Sequence, residues 1–162
     1  MESQLPLFEE ISPSISAKNP IESNRRFCKE IEETLLLLGY EESKSESPEL
    51  NSFNKRNAYE DMYGSKRQSS FLVNSNQHGL VRVEAHRQET SGSVDQKFPF
   101  FFESLMKAPE SNLVIVFDGK GYKEEAYDWL LTETAKVQDK TFLVFPTKEE
   151  FCDWLINKTN AK

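Results

Sequence analysis

Between Phe71 and Lys97 the chain reads FLVNSNQHGLVRVEAHRQETSGSVDQK, and its alternation sets the frame. Asn74 to Gly79 supplies the Asn, Ser, Gln and Gly of a hairpin turn. The spacing predicts strands over Ser69–Val73 and Leu80–Arg87. Val81, Val83 and Ala85 share one face of the second strand, and Arg82, Glu84, His86 and Gln88 share the other. A row of Glu, His and Gln suits chemistry or recognition. It suits equally the charged outer face of an edge strand. A turn centred near Gln77 places Ser70 opposite Glu84.

The other elements follow from the same patterning. Phe27, Ile31, Leu35 and Leu38 recur at helical spacing, giving a helix from an Asn24 cap to a Gly39 stop. Residues 1–23, with Pro6, Pro13 and Pro20, read as an extended arm before a single domain over 24–160. The Ser- and Glu-rich run from Glu41 to Ser52 reads as a mobile loop. Phe53 to Gly64 fits no single pattern. Asp95 is a candidate cap for a buried helix over 96–107 that carries FPFFFESLM. LVIVF at Leu113 to Phe117 is a strand covered on both faces. A helix with Ala126, Trp129, Leu130 and Leu131 follows, then the strand TFLVF at Thr141 to Phe145. Thr147 and Glu150 form a capping box for a last helix with Phe151, Trp154 and Leu155 inward. This order predicts an α/β domain with a mixed central sheet between helices.

Composition narrows the function. The chain has 162 residues, 37% of them hydrophobic, and 12 Phe, enough for a single folded core. A net charge of −7 argues against nonspecific coating of nucleic acid, which rests on Lys and Arg. Local basic groups remain, among them Arg25, Arg26, Lys66, Arg67, Arg82 and Arg87. No apolar run spans a membrane and no secretory signal is present. Cys28 and Cys152 match no zinc spacing and read as reduced thiols of a cytoplasmic protein.

The central motif carries a resemblance. Glu84-x-His86-x-Gln88, then Gly92-Ser93-Val94-Asp95-Gln96-Lys97, is similar to the Glu-x-Lys-x-Gln strand and Gly-Ser-Val-Asp-x-Lys helix start of the PD-(D/E)XK nuclease superfamily. The apolar strand ending in Asp118-Gly119-x-Gly121-Tyr122 also fits. The resemblance runs from about Asn24 to Trp154 and implies the restriction-endonuclease-like fold. It also implies phosphodiester hydrolysis with Mg²⁺ or Mn²⁺, held by carboxylates beside a lysine.

The sequence departs from that pattern at the sites that matter. The metal aspartate position holds Ser70, the lysine position His86, and the first-helix glutamate position Cys28. Glu84 is then the one remaining metal carboxylate, a poor magnesium site. The expectation is a nuclease-like frame that has lost hydrolysis and needs no cofactor. It would bind a protein partner, and DNA in some contexts, within a restriction, repair or mobile-element system. Lys97, Arg87, Lys66 and Arg67 are the candidate DNA contacts. The alternative is an active homodimeric DNA endonuclease using Glu84, His86, Gln88 and a displaced acid such as Asp61 or Glu60. In that case Mn²⁺ or Zn²⁺ would suit His86. An unrelated α/β domain, with Glu84 and His86 on an exposed edge, is the third reading.

Overall fold

A computed structural model describes residues 20–87, 94–119 and 123–157. Helix α1 spans Pro20–Leu37, β1 Glu41–Glu42, β2 Ser52–Glu60, β3 Lys66–Ser75 and β4 Gly79–Arg87. A 3-10 turn over Val94–Lys97 leads into α2, Phe98–Met106. Then come β5 (Asn112–Asp118), α3 (Glu124–Ala135), β6 (Thr141–Phe145) and α4 (Lys148–Ile156). The six strands form one sheet in sequence order. β2, β3 and β4 pair antiparallel, whereas β1–β2, β4–β5 and β5–β6 pair parallel. The mixed sheet between helices is the predicted α/β architecture, and it suits a restriction-endonuclease-like domain.

The period-two reading of the central strands explains the layering. Val81, Val83, Ala85, Val114 and Val116 face one side, where Phe27, Ile31 and Leu35 of α1 meet Phe151, Trp154 and Leu155 of α4. Leu113, Ile115 and Phe117 face the other side, where they meet Phe98, Phe101 and Leu105 of α2 and Leu130 of α3. LVIVF is therefore buried on both faces, as a central strand must be. The capping box also forms: the Thr147 hydroxyl accepts the Glu150 N–H at 3.1 Å.

Several local expectations are corrected. The segment left without a pattern is a full strand, β2. Its neighbour β3 begins at Lys66, earlier than the apolar run from Ser69 suggested, because polar residues still pair there. Helix α1 starts at Pro20, which puts Asn24 inside the helix instead of at its cap. Leu38 falls just past the helix and is 38% exposed. Lys97, not Asp95, is the N-cap of α2. Trp129 is half-exposed, touching Phe102 edge-on, because α3 lies on one side of the sheet only. The loop before β2 contains β1 and is tied by Glu49, whose carboxylate accepts from the hydroxyls of Ser43 and Ser45, each at 2.7 Å. His78, at the hairpin tip, stacks on Trp154 and bonds its carbonyl at 2.8 Å, pinning the hairpin to α4.

The polar face of β4 is the largest departure from an edge-strand reading. β4 is the fourth of six strands, and Arg82 is 2% and Glu84 3% exposed. Arg82 forks onto Glu110 through two bonds of 2.7 and 3.0 Å, and onto Ser69 and the Asn57 side chain and carbonyl. Its guanidinium also covers the Tyr59 ring. A buried charge stripped of its partner is costly. Glu110→Ala is therefore expected to lower unfolding stability by about 3–5 kcal/mol in urea denaturation. Arg82→Met with Glu110→Leu is expected to regain most of that loss, since neither half of this pair is then left as an unpaired buried charge.

Candidate functional site

The site lies where the sheet stops pairing. The β3–β4 ladder runs from Ser75↔Gly79 to Phe71↔Val83 and no further. The β2–β3 ladder passes over the opposed positions Arg56 and Ser70, and Arg56 has a φ of 59°. A left-handed arginine is a strained position for a residue with a Cβ. Ser70 thus loses ladder partners on both sides. Its hydroxyl takes over by accepting the Ala85 N–H at 3.0 Å. β3 and β4 diverge here, and α1 crosses the opening. The result is a cleft of about 850 Å³ whose walls include Cys28, Ser70, Glu84, His86 and Arg67.

The expected constellation therefore converges in part. Ser70, Glu84 and His86 line the cleft together, with Cys28 supplied by α1. Gln88 lies outside the described residues, as do Gly92, Ser93, Gly121 and Tyr122. Asp61 does not line the cleft. Its carboxylate accepts the Tyr63 and Ser65 N–H groups, both at 2.9 Å, and so closes the β2–β3 turn. Glu60 is at the end of β2, paired in the ladder with Lys66.

Glu84 is held by groups that the sequence did not single out for this task. Its Oε2 accepts from Arg67 Nε at 3.1 Å and from the Tyr59 hydroxyl at 3.2 Å. The Arg67 guanidinium in turn lies against the Phe100 and Phe101 rings of α2. Burial pushes the Glu84 carboxyl above the ordinary carboxylate range, while the charge and hydrogen bond of Arg67, then Tyr59, pull it back. Burial likewise raises the Tyr59 hydroxyl, helped by the Glu84 charge. Burial raises the Cys28 thiol, which a hydrogen bond from Ser70 opposes. Cys28 is therefore a neutral thiol at physiological pH.

His86 has a determined tautomer. The Asn24 Oδ1 accepts the Arg87 N–H at 2.7 Å, which turns its Nδ2 toward His86 Nδ1 at 3.3 Å. Nδ1 is the acceptor, so Nε2 carries the proton of the neutral ring. That N–H is buried and unpartnered among the described residues, facing Glu84 Oε1 at 3.8 Å, beyond hydrogen-bond reach. The ring stacks on Phe101 with centroids 4.1 Å apart. Burial, then the charges of Arg67 and Lys97, lowers the His86 pKa to about 3. The 3.8 Å contact is thus between a neutral imidazole and a carboxyl, not an ion pair.

The candidate DNA contacts divide. Arg87 bonds Asp118 at 2.6 Å and Glu30 at 2.7 Å and covers the Phe27 ring, which ties β4 to β5 and α1. Arg67 is paired with Glu84. Lys66 and Lys97 are exposed. The cleft carries further cations that sequence reasoning did not assign to it. Arg25, Lys29 and Arg56 line it with no carboxylate partner among the described residues, while Lys55 pairs with Glu32 at 3.3 Å.

A sheet forked between two central strands, with a carboxylate on the fork and a helix across it, defines a nuclease-type α/β domain. A PD-(D/E)XK nuclease superfamily domain model matches residues 20–153, and the chain belongs to that superfamily. No curated protein and no solved structure matches the chain.

Members of that superfamily use a divalent metal, and the described residues around Glu84 do not by themselves form a site for one. Among the described residues no group of three or more His, Cys, Asp and Glu side chains is arranged to hold a metal. The donors beside Glu84 are a hydroxyl, a neutral thiol and an imidazole whose Nε2 bears hydrogen. Mg²⁺ requires several hard oxygen ligands. The Arg67 guanidinium already meets the carboxylate that such an ion would use.

The His86 environment sets a pH dependence. Its pKa is depressed in the folded state, so the unfolded chain binds the extra proton between about pH 6.5 and 3. Stability from this group is present above that window and is lost as pH falls through it. Relative to His86→Phe, the unsubstituted protein is expected to lose about 1.4 kcal/mol more per pH unit between roughly pH 6 and 4. Chemical denaturation at stepped pH checks this. Equal slopes would contradict the buried neutral histidine.

Proposed function

We propose that this domain is a nuclease fold turned to binding, without metal-dependent phosphodiester hydrolysis, serving in a restriction, repair or mobile-element system. The observation that carries this reading is the closure of Glu84 by Arg67 and Tyr59. A guanidinium neutralises the carboxylate with a fixed, bulky cation that has no vacant coordination position. It cannot coordinate a water oxygen and activate it as a nucleophile, which is what the metal does in hydrolysis. His86, neutral and lacking a free lone pair, supplies neither the positive charge of a lysine nor a base.

The retained cleft supports a binding role. Arg25, Lys29 and Arg56 give it local positive charge in a chain of net charge −7. That pattern suits a localised run of DNA phosphates better than nonspecific coating. The overall acidity also suits a protein partner, which would engage surfaces away from these cations.

Calorimetric titration with Mg²⁺ and Mn²⁺ is expected to give no binding heat, and supercoiled plasmid is expected to remain uncut. Metal binding and nicking that both disappear in Glu84→Ala would overturn the proposal in favour of an active enzyme. Fluorescence anisotropy with duplex DNA is expected to show binding that Arg56→Ala or Lys29→Ala weakens about two- to tenfold. Each substitution should also reduce the salt dependence by about one ion. Unchanged affinity in both variants would remove DNA from the cleft.

A further inference from the structure

The turn between β2 and β3 holds an aromatic ring, Tyr63, that is 73% exposed. Its backbone is nonetheless fixed. The buried Asp61 accepts the Tyr63 and Ser65 N–H groups through its carboxylate, both at 2.9 Å, and the Gly64 N–H through its carbonyl at 3.0 Å. The Met62 N–H donates to Ser104 Oγ at 3.3 Å, which holds the turn against α2. The Tyr63 ring stacks on Phe100 of α2, with centroids 5.8 Å apart and planes 27° from parallel. The stack backs one face of the ring and leaves the other to solvent.

This ring is continuous with the cleft. Phe100 also carries the Arg67 guanidinium, 5.0 Å from its centroid. Arg67 and Gln68 line both the cleft and a second recess of about 580 Å³, whose other walls are Asp61 and Lys66 at the two ends of the turn. The open face of Tyr63 is therefore two contacts away from the cleft wall, through Phe100 and Arg67.

We propose that the cleft takes an unpaired DNA strand, with one base stacked on the open face of Tyr63 and phosphates on Arg25, Lys29 and Arg56. The inference rests on the DNA reading of the cleft and names the form of the DNA. A duplex offers base edges in its grooves, and its base faces are covered by neighbouring pairs. An unpaired base has a free face, and all four bases can stack on a ring. A cationic groove for the backbone beside an aromatic ring for a base is the combination that single-strand binding uses. Because the turn is already fixed, little ordering is lost when the base arrives. Charges near the ring are mixed: Lys66 pairs across the ladder with Glu60, and Glu60 and Glu103 are exposed. Attraction for phosphate comes instead from the cleft, and the stacked base itself is neutral.

Fluorescence anisotropy with a short oligothymidylate, a fully abasic strand of the same length and a duplex tests this. Tyr63→Ala is expected to weaken oligothymidylate binding about 5- to 150-fold and to leave duplex binding unchanged. Tyr63→Phe keeps the ring and should bind as the unsubstituted chain does. The abasic strand is expected to bind more weakly than oligothymidylate by a similar factor, and Tyr63→Ala should weaken it no further. Should Tyr63→Ala lose the circular dichroism of the fold, Tyr63→Leu, which keeps bulk without an aromatic face, takes its place. Oligothymidylate binding that Arg56→Ala weakens and Tyr63→Ala does not, an abasic strand bound equally well, an equal loss on duplex, or binding of duplex alone would each overturn the stacking and leave the cleft reading in place. Binding of neither strand nor duplex would overturn both.

Discussion

A carboxyl with 3% exposure needs a cation beside it to remain ionised, and around Glu84 the nearby structure is arranged to supply one. Arg67 reaches it because β3 has left the β4 ladder beyond Phe71↔Val83, which opens the space that the guanidinium enters. Phe100 and Phe101 of α2 flank Arg67. Phe101 also stacks on His86, and Asn24 of α1 fixes that ring from the other side. Helices from both layers are therefore referenced to one ion pair. The strain at Arg56 belongs to the same arrangement, because it lies opposite Ser70, where the sheet changes from continuous to forked.

The layers of the fold were readable because each is written in a periodicity. β4 alternates, β5 is an unbroken apolar run, and the α1 and α4 stripes keep helical spacing, so the burial of Val83, Ile115, Ile31 and Phe151 follows from the pattern. β2 was not readable for the opposite reason. Asn54, Lys55, Arg56 and Asn57 interrupt its apolar positions, and the strand is fixed instead by its neighbour β3. The β3–β4 register was legible as far as Phe71↔Val83, where the ladder ends, because a hairpin turn sets it for both strands.

The partners of Glu84 were hidden by sequence distance and by chemistry. Tyr59 is 25 residues from Glu84 and sits on the strand that had no clear pattern. Arg67 and Arg87 look alike in sequence, as surface arginines available to phosphate. Only the three-dimensional arrangement gives one to Glu84 and the other to Asp118 and Glu30. Arg82 shows the same limit: alternation places it on the polar face, but it cannot say that Tyr59 and Glu110 cover it there. A charged residue on a central strand is a signal in itself, since burial obliges it to have a partner.

Loss of a metal site does not by itself empty the position. A fold that evolves away from hydrolysis by losing ligands still has to solvate whichever carboxylate remains on the fork. Replacing Glu84 with an apolar residue would be one solution, and bringing in a guanidinium is another. The second preserves the shape of the fork, because Arg67 ties β3 to β4 where no backbone bond does so. On the reading proposed here, Glu84 persists as one half of a strut. The electrostatic problem is the one that a catalytic metal would solve, an isolated buried negative charge, but the solution has no open coordination site. Binding surfaces can survive that exchange, since the cations at the cleft rim do not depend on what neutralises Glu84 within it.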